Sequence, residues 1–420
     1  MQKLLIVLLF AGYAISATLS LEIAVEKSLK NSQDLEISRL GLDNLESLKR
    51  FENSNNLPKL NFDTAFYPTK TSVSSQNGFL VTSQKSATHI ELSAFYNLWD
   101  GGITASKLKS LKYKIEENKN QNISKSLDIT LKVKQIYFLI SSLENQIKTS
   151  SQYEKFYDML YKRAVAMREN GLKTSIDESR FYAGWLNAKN NLNLLTGEKN
   201  KQLFELKLLL GENDNFEIEE NFLENYSNSL TKNIDFELLK QQLLSNNPTL
   251  IGLDFKIKSS KDLIDAEKNK KYGTFNLSAS YAHEDSIDNY NTRFVGANFN
   301  IPLYDGDKIN SQIQQAVISH KIANEELSQA KQTLLNLLYV NYENYKNSIN
   351  TIQSKENEVQ VAQKNLELQE GRYTNGLGTY IEVVEAQALL EDGRNAITLA
   401  KLQKVIAWEQ IKTLTNKNEK

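Results

Sequence analysis

Two carboxylates three residues apart, Glu382 and Glu385, are the clearest candidates for chemistry in this 420-residue chain. Their spacing places both on one face of a helix, where they could gather cations or favour the positive end of the helix dipole. The histidines His89, His283 and His320 are scattered along the chain and lack the spacing of metal ligands. We therefore expect no metal site and no cofactor.

Composition excludes several functional classes. The chain has no cysteine, which excludes disulfides, thiolate metal sites, a thiol nucleophile and a lipid-modified N-terminal cysteine. It has 50 Lys and Arg against 51 Asp and Glu, which argues against nucleic-acid binding through charge alone. Phosphate loops, nucleophile triads and dinucleotide fingerprints are absent from the sequence, and we expect no catalytic residues and no enzymatic activity.

The N-terminal residues 1–17 have the pattern of a secretory signal peptide. Lys3 precedes an apolar run that ends near Ile15, and small residues follow as far as Ala17. An uncleaved anchor or a buried N-terminal segment is the alternative. Beyond this segment the sequence holds no stretch of 18 apolar residues, so a membrane-spanning part would have to consist of strands.

Two pairs of motifs reveal an internal duplication. Residues 97–101 resemble residues 302–306, and residues 170–172 resemble residues 375–377, with the same separation along the chain in both cases. Two unrelated motifs that share one offset indicate a repeat. We predict one repeat over residues 18–234 and a second over residues 235–420.

Apolar and polar residues alternate around 60–98 and again around 274–302. A period of two predicts half-buried strands, one pair in each repeat. Residues 68–87, rich in Ser, Thr and Gln, read as a loop within the first pair. A soluble hairpin is one interpretation; aromatic residues on the apolar face and the signal peptide favour transmembrane strands.

The remaining sequence predicts helices. Residues 103–170 and 307–370 contain neither glycine nor proline, and apolar residues at heptad spacing indicate antiparallel coiled-coil packing. Each long helix turns at a tip, near 171 and 376, and a shorter helix returns. We also predict helices over about 21–56 and 235–271, and an irregular acidic segment over 211–232. The expected fold is mainly α with a small β part.

Four strands cannot close a membrane barrel, so several chains must share one. Two chains give eight strands, which leave too narrow an interior, whereas three give twelve. We therefore expect a homotrimer with a 12-stranded transmembrane β-barrel in contact with membrane lipid. At the strand-to-helix junctions, Asp100-Gly101 and Asp305-Gly306 predict helix N-caps next to a bend, a structural role.

These junctions, together with the segment from Arg372 to Gln387, resemble those of TolC-type outer-membrane efflux proteins. The resemblance covers the mature chain. It implies a homotrimer in the outer membrane whose long helices form a large periplasmic α-barrel. It also implies a passive export duct of a tripartite efflux or type I secretion system, docking with a periplasmic membrane-fusion adaptor and an inner-membrane transporter.

The resemblance further assigns roles to residues at the hairpin tips. Glu382 and Glu385 match an acidic ring at the periplasmic entrance, and Asp177 and Tyr373 match contacts that hold the gate shut. Gly378 stands at the position of an arginine in the family's pattern, so the residue that completes the closing contact is undetermined, and Arg168, Lys173 and Arg180 are the alternatives. The tips that would dock with the adaptor are Asn170, Gly171 and Leu172 in the first repeat, and Asn375, Gly376 and Leu377 in the second.

One alternative function stays open at this point. A periplasmic coiled-coil scaffold or surface adhesin without a pore would also need long helices and a signal peptide. The four alternating segments at mirrored positions argue against it. The sequence does not indicate whether the cargo is a drug, a metal ion or a protein.

Overall fold

Long helices and a small sheet make up the fold. A computed structural model describes residues 17–171, 174–212, 215–230, 233–285, 289–375 and 377–416. The predicted signal segment lies outside these ranges, apart from Ala17, where the first strand begins. The strands are β1 (Ala17–Leu19), β2 (Lys59–Gln76), β3 (Phe79–Trp99), β4 (Phe216–Ile218), β5 (Thr274–Asp285) and β6 (Asn289–Asn300).

Helices account for most of the chain, which confirms the predicted mainly α fold. They are α1 (Leu21–Asn31), α2 (Gln33–Asn53), α3 (Ile103–Glu169), α4 (Ser175–Leu210), α5 (Phe222–Ser229), α6 (Phe236–Asn246), α7 (Pro248–Asn269), α8 (Lys308–Thr374) and α9 (Tyr380–Thr415). Both α3 and α8 have 67 residues, roughly 100 Å at 1.5 Å per residue. Both α4 and α9 have 36 residues, so the two halves repeat the same long and short helix.

The segment 68–87, predicted as a loop, is strand instead. β2 and β3 pair as far as Gln76 and Phe79, and only Asn77 and Gly78 form the turn, both with positive φ. Asn-Gly favours such tight hairpin turns, and threonine is well suited to strands. The register shifts between Tyr67 and Lys70, where a bulge accommodates Pro68. Composition misled the prediction because Ser and Thr are common in exposed strands as well as in loops.

Two predicted helices are each divided, and the predicted irregular segment is partly ordered. The first helix breaks at Ser32, whose backbone is extended. The other breaks at Asn247, because a residue before proline avoids the helical region, and Pro248 then begins α7. Within 211–232, the described residues include β4 and α5.

The sheet belongs to one of two structural units, formed by Glu36–Ile123 and Pro248–Lys331. Its strands run antiparallel in the order β2-β3-β5-β6, so β2 and β6 are the edges. Leu60, Ala94, Ala279 and Val295 form one cross-strand row of an apolar face. On the opposite face most residues are polar, as in the row Asn97, Asn276 and Asn298, whereas the row Asn61, Ser93 and Ser280 ends at Phe294.

The second unit comprises Met1–Leu35, Ser124–Asn247 and Gln332–Lys420. In it, β1 pairs in parallel with β4 beside a core of buried side chains from α1, α3, α4, α5 and α9. The Tyr137 hydroxyl donates to the carbonyl of Leu19 at 2.8 Å and accepts from the Glu219 N–H at 3.1 Å. One phenol therefore connects α3 with the segments at both strands. The core residues include Val133, Tyr137, Phe138, Ile140, Leu206, Leu210, Leu223 and Val405.

A buried carboxylate ties three helices of this unit together. Glu409 of α9 is 2% exposed, and its oxygens lie 2.7 Å from Lys134 Nζ of α3 and 2.6 Å from Lys412 Nζ. Tyr226 of α5 donates its hydroxyl to the same carboxylate. Burial acts to raise the pKa of Glu409, but the two ammonium groups outweigh it and hold the pKa below its usual value.

A second buried carboxylate in α9 has the opposite environment. Glu391 is 7% exposed, and among the described residues its Oε1 has no hydrogen-bond partner. Burial, with a smaller contribution from the neighbouring Asp392, raises the pKa of Glu391 to about 7. Protonation therefore favours the packed state of this part of α9.

Replacing Glu409 with Gln should destabilise the second unit. Lys134 and Lys412 would lose their shared counterion, and breaking a buried pair in this way typically costs about 3–5 kcal/mol. Urea unfolding followed by circular dichroism measures the change in the free energy of unfolding. Glu237→Gln is the matched control, because Glu237 pairs with Lys240 on the surface. Equal effects of the two variants would contradict a stabilising role for the Glu409 cluster.

The free energy of unfolding should depend on pH through Glu391. Its folded pKa of about 7 lies above the reference value of 4.5, so the folded chain binds more protons between these values. Stability should therefore fall as the pH rises from about 4.5 to 7, by roughly 3 kcal/mol at 1.4 kcal/mol per pKa unit. Glu391→Gln should remove this fall when urea unfolding is compared at pH 5 and pH 8. The prediction would be contradicted if stability in Glu391→Gln fell as much as in the unmodified chain. It would also be contradicted if the exposed control Glu367→Gln removed the fall equally.

Candidate functional site

The junction between β3 and α3 is built around Asp100. Its carboxylate accepts hydrogen bonds from the backbone N–H groups of Gly102 at 2.9 Å and Thr104 at 2.7 Å. Gly101 has a φ of +70°, and a Cβ there would lie 2.7 Å from the carbonyl oxygen of Asn269. The aspartate thus satisfies free N–H groups of the helix, and the glycine permits the bend.

The corresponding junction before α8 has a related arrangement. Asp305 accepts from the Ile309 N–H at 2.8 Å, and Gly306 has a φ of +68°. Asp307 follows with a φ of +67° and accepts from the Asn310 side chain at 2.6 Å. Both junctions position helices, and their carboxylates are occupied by local hydrogen bonds.

The first hairpin tip ends α3 with a turn. Asn170 donates to the carbonyl of Ala166 from both its backbone, at 3.2 Å, and its side chain, at 2.8 Å. Gly171 follows with a φ of +71°, the left-handed conformation that commonly ends helices. Arg168 lies 2.5 Å from Glu178 and connects the end of α3 to the start of α4. Leu172 and the side chain of Asp177 lie outside the described residues.

The second tip ends α8 in a similar way. The Asn375 N–H and side chain both donate to the carbonyl of Gly371, at 3.2 and 2.9 Å, and the Leu377 N–H donates to the Arg372 carbonyl at 2.8 Å. Leu377 is 75% exposed, although leucine is usually buried. Gly376 lies outside the described residues. The tip therefore presents an exposed apolar side chain, Leu377, beside the hydrogen-bonded end of α8.

Glu382 belongs to a capping box at the start of α9. Its Oε2 accepts from the Thr379 N–H at 2.7 Å, and the Glu382 N–H donates to Thr379 Oγ1 at 3.4 Å. The Thr379 N–H, with a further contribution from Arg372 at 4.0 Å, holds the pKa of Glu382 below its usual value. Glu382 is therefore ionised and fixed in position near neutral pH. Glu385 follows on the same face of α9 and is exposed.

Tyr373 lies close to the same helix start. Its ring contacts that of Tyr380 edge to face, with centroids 6.1 Å apart, and the Arg163 guanidinium lies 5.2 Å from the centroid of the Tyr373 ring. The structure thus brings the end of α8 and the first turn of α9 together. The position of Asp177 relative to Tyr373 falls outside what the structure describes.

Sequence reasoning missed two features of these tips. One is the capping box, which the spacing of Thr379 and Glu382 could have revealed. The other is the pair of cross-links, Arg168 with Glu178 and Arg372 with Glu382, one within each hairpin. Arg168, one of the alternatives for the closing contact, thus forms an ion pair with Glu178 within its own hairpin.

The carboxylates of Glu382 and Glu385 can attract cations through their negative charge. Within the described ranges, no group of three or more His, Asp or Glu side chains is placed to hold a metal ion. None of the helices in the described part of the chain is both long and apolar enough to cross a membrane.

Comparison with known proteins identifies relatives of both halves. The family model for outer membrane efflux proteins matches residues 24–212 and 239–417. Outer membrane protein TolC of Salmonella enteritidis is 27% identical over 118 residues, which cover 28% of this chain and 24% of that protein. TolC of Escherichia coli K12 is 25% identical over 119 residues, with the same coverage. These matches span about a quarter of the length of the curated relatives.

Solved structures resemble nearly the whole chain. CusC, described as forming a transmembrane channel, has a TM-score of 0.83 at 14% identity, with 94% of this chain and 91% of that chain covered. The CmeC outer membrane channel of Campylobacter jejuni gives 0.80 at 15%, covering 94% and 85%. VceC of Vibrio cholerae gives 0.79 at 15%, covering 94% and 95%. At these identities the similarity supports the fold.

The two matched ranges of the family model cover most of the sequence, and the fold agrees with them. We therefore conclude that the chain belongs to the outer membrane efflux protein family and is located in the cell outer membrane, with a helical extension into the periplasm.

Proposed function

We propose that the chain is the outer-membrane channel of a tripartite efflux or type I secretion system and acts as a passive trimeric export duct. The observation that carries the proposal is the open four-stranded sheet, because its edges and its apolar face both need partners. The duct performs no chemistry, so the energy for export comes from an inner-membrane transporter.

The edges of the sheet require additional strands. In lipid, each unpaired backbone polar group costs several kcal/mol, so an open sheet is unstable there. Joining β6 of one copy to β2 of the next pairs both edges, and three copies give a twelve-stranded barrel. The large apolar side chains that would face lipid are exposed in one chain: Leu60, Phe62, Phe66, Leu92, Leu277, Tyr281, Val295 and Phe299.

The opposite face of the sheet suits a water-filled interior. Its cross-strand rows carry amides and hydroxyls, for example Asn97, Asn276 and Asn298, which remain solvated in an aqueous lumen. A soluble scaffold or adhesin offers no reason for one apolar and one polar exposed face on the same strands. For this reason the channel is favoured over the pore-free alternative.

The gate and the docking surface of this proposal lie at the tips. Three copies would bring six carboxylates, from Glu382 and Glu385, around one periplasmic entrance. Tyr373 and Asp177 would hold the hairpins together, and adaptor docking at the two tips would open them. The short turns and the ion pairs within each hairpin support rigid-body movement of whole hairpins. The proposed docking residues are Asn170, Gly171, Leu172, Asn375, Gly376 and Leu377.

Exchanging one side chain on the proposed lipid face tests the orientation of the sheet. Val295 lies midway along β6 on the apolar face and is 87% exposed, so Val295→Arg should reduce outer-membrane insertion. The expected penalty is about 2–4 kcal/mol near the bilayer midplane. Asn298→Arg places the same cation on the opposite face of the same strand and should insert normally. Membrane fractionation and trimer yield in mild detergent measure both. Equal yields would contradict the assigned faces.

Ion selectivity in planar bilayers tests the proposed acidic ring. The double substitution Glu382→Gln and Glu385→Gln should lower the preference for cations, because uncharged amides no longer attract them. Thr379→Ala removes a capping partner but keeps both carboxylates, so it separates loss of charge from loss of the helix start. The exposed control Glu367→Gln should leave selectivity unchanged. Unaltered selectivity in the double variant, or an equal loss in Thr379→Ala, would remove these residues from the ring.

A further inference from the structure

A cavity of about 370 Å³ lies near the start of α9, within the second unit. Residues from α3, α4, α8, α9 and the connection before α9 line it. Aromatic rings form most of the wall: Tyr157, Phe181, Tyr373 and Tyr380. Ligand sites in proteins are typically apolar and aromatic with a few polar groups, and their volumes begin at about 300 Å³. The export duct proposed above assigns a gate contact to Tyr373 of this lining but no role to the cavity itself.

The wall is held in place by close packing. Tyr157 lies directly against α4 at Gly184, where an added Cβ would overlap its ring. The Tyr153 hydroxyl donates to the Tyr157 hydroxyl at 3.2 Å, which fixes the Tyr157 ring from the other side. Tyr380 contacts both Phe181 and Tyr373 through its ring. Each of the four aromatic side chains of the lining therefore contacts another ring or a neighbouring helix.

The lining contains one buried polar group, on Tyr380. The Tyr380 hydroxyl is buried and has no hydrogen-bond partner among the residues that the structure describes. Burial, with contributions from neighbouring tyrosines, holds the pKa of Tyr380 well above its usual value, so the hydroxyl stays neutral and can donate. Buried polar groups without partners are rare in proteins and call for an explanation.

Arg180 is the charged residue of the lining, and it is exposed at its rim. In the described part of the chain it forms no ion pair, whereas its neighbours Arg168 and Arg372 lie next to Glu178 and Glu382. A guanidinium beside an aromatic cavity favours a carboxylate, because its planar fork matches two oxygens.

The volume sets the size of the ligand. An apolar cavity of about 150 Å³ holds one benzene molecule, so a cavity more than twice as large accommodates two fused rings. We propose that this cavity binds a small two-ring aromatic carboxylate, with its rings among the four aromatic side chains, its carboxylate on Arg180 and the Tyr380 hydroxyl as a further hydrogen-bond donor. Because the lining joins α3 and α4 to the start of α9, a bound ligand should stabilise this arrangement of helices.

Isothermal titration of the full chain in detergent with 2-naphthoate tests the proposal, with detergent alone as the blank. 2-Naphthoate should bind saturably, and Arg180→Gln should weaken it at least tenfold, since a hydrogen bond to a charged group contributes about 1.5–3 kcal/mol. The neutral 2-naphthalenemethanol should bind more weakly and be insensitive to Arg180→Gln. Tyr380→Phe should weaken the carboxylate severalfold.

Two further variants complete the test. Val384→Phe, at another lining position, should fill the cavity and abolish binding of both probes. Arg394→Gln, an exchange of the same type away from the cavity, should leave the affinity unchanged. Circular dichroism verifies that each variant is folded. Absence of saturable binding of 2-naphthoate, or an affinity unaffected by both Arg180→Gln and Val384→Phe, would overturn the proposal whatever the conductance of the channel.

Discussion

The backbone hydrogen bonds left unmade at β2 and β6 are the constraint on which the rest of this protein depends. A sheet of four strands with one apolar and one polar face is stable neither alone in water nor alone in lipid. Pairing its edges with further copies satisfies the backbone, places the apolar rows against lipid and encloses the polar rows. The proposed trimer and its lumen both rest on this single requirement.

The periplasmic part of each chain combines rigid and adjustable elements. Around Tyr137 and Glu409, buried rings and a carboxylate with two ammonium groups fix β1, β4 and α5 to the long helices. At the tips, α3 ends at Gly171, whose backbone is left-handed, and α8 ends with hydrogen bonds from Asn375 to the Gly371 carbonyl. Each hairpin also contains one arginine–glutamate pair. Glu382 remains ionised within its capping box and thus offers a fixed negative charge.

Much of the fold could be predicted because its signals are local. The absence of glycine and proline indicated α3 and α8, and alternation with a period of two indicated the strands. The extension of β2 and β3 through 68–87 was missed because strand pairing, rather than composition, decides the state of Ser- and Thr-rich segments. The capping box could be read from Thr379 and Glu382. The aromatic cavity could not, because Tyr157, Phe181 and Tyr380 are far apart in sequence and meet only through tertiary packing.

Native mass spectrometry of the mature chain, extracted from outer membranes in mild detergent, tests the completion of the sheet most directly. We expect a complex of three chains that dissociates only when the detergent-solubilised protein unfolds. A water-soluble monomer that needs no detergent and shows no affinity for lipid vesicles would contradict the central claim.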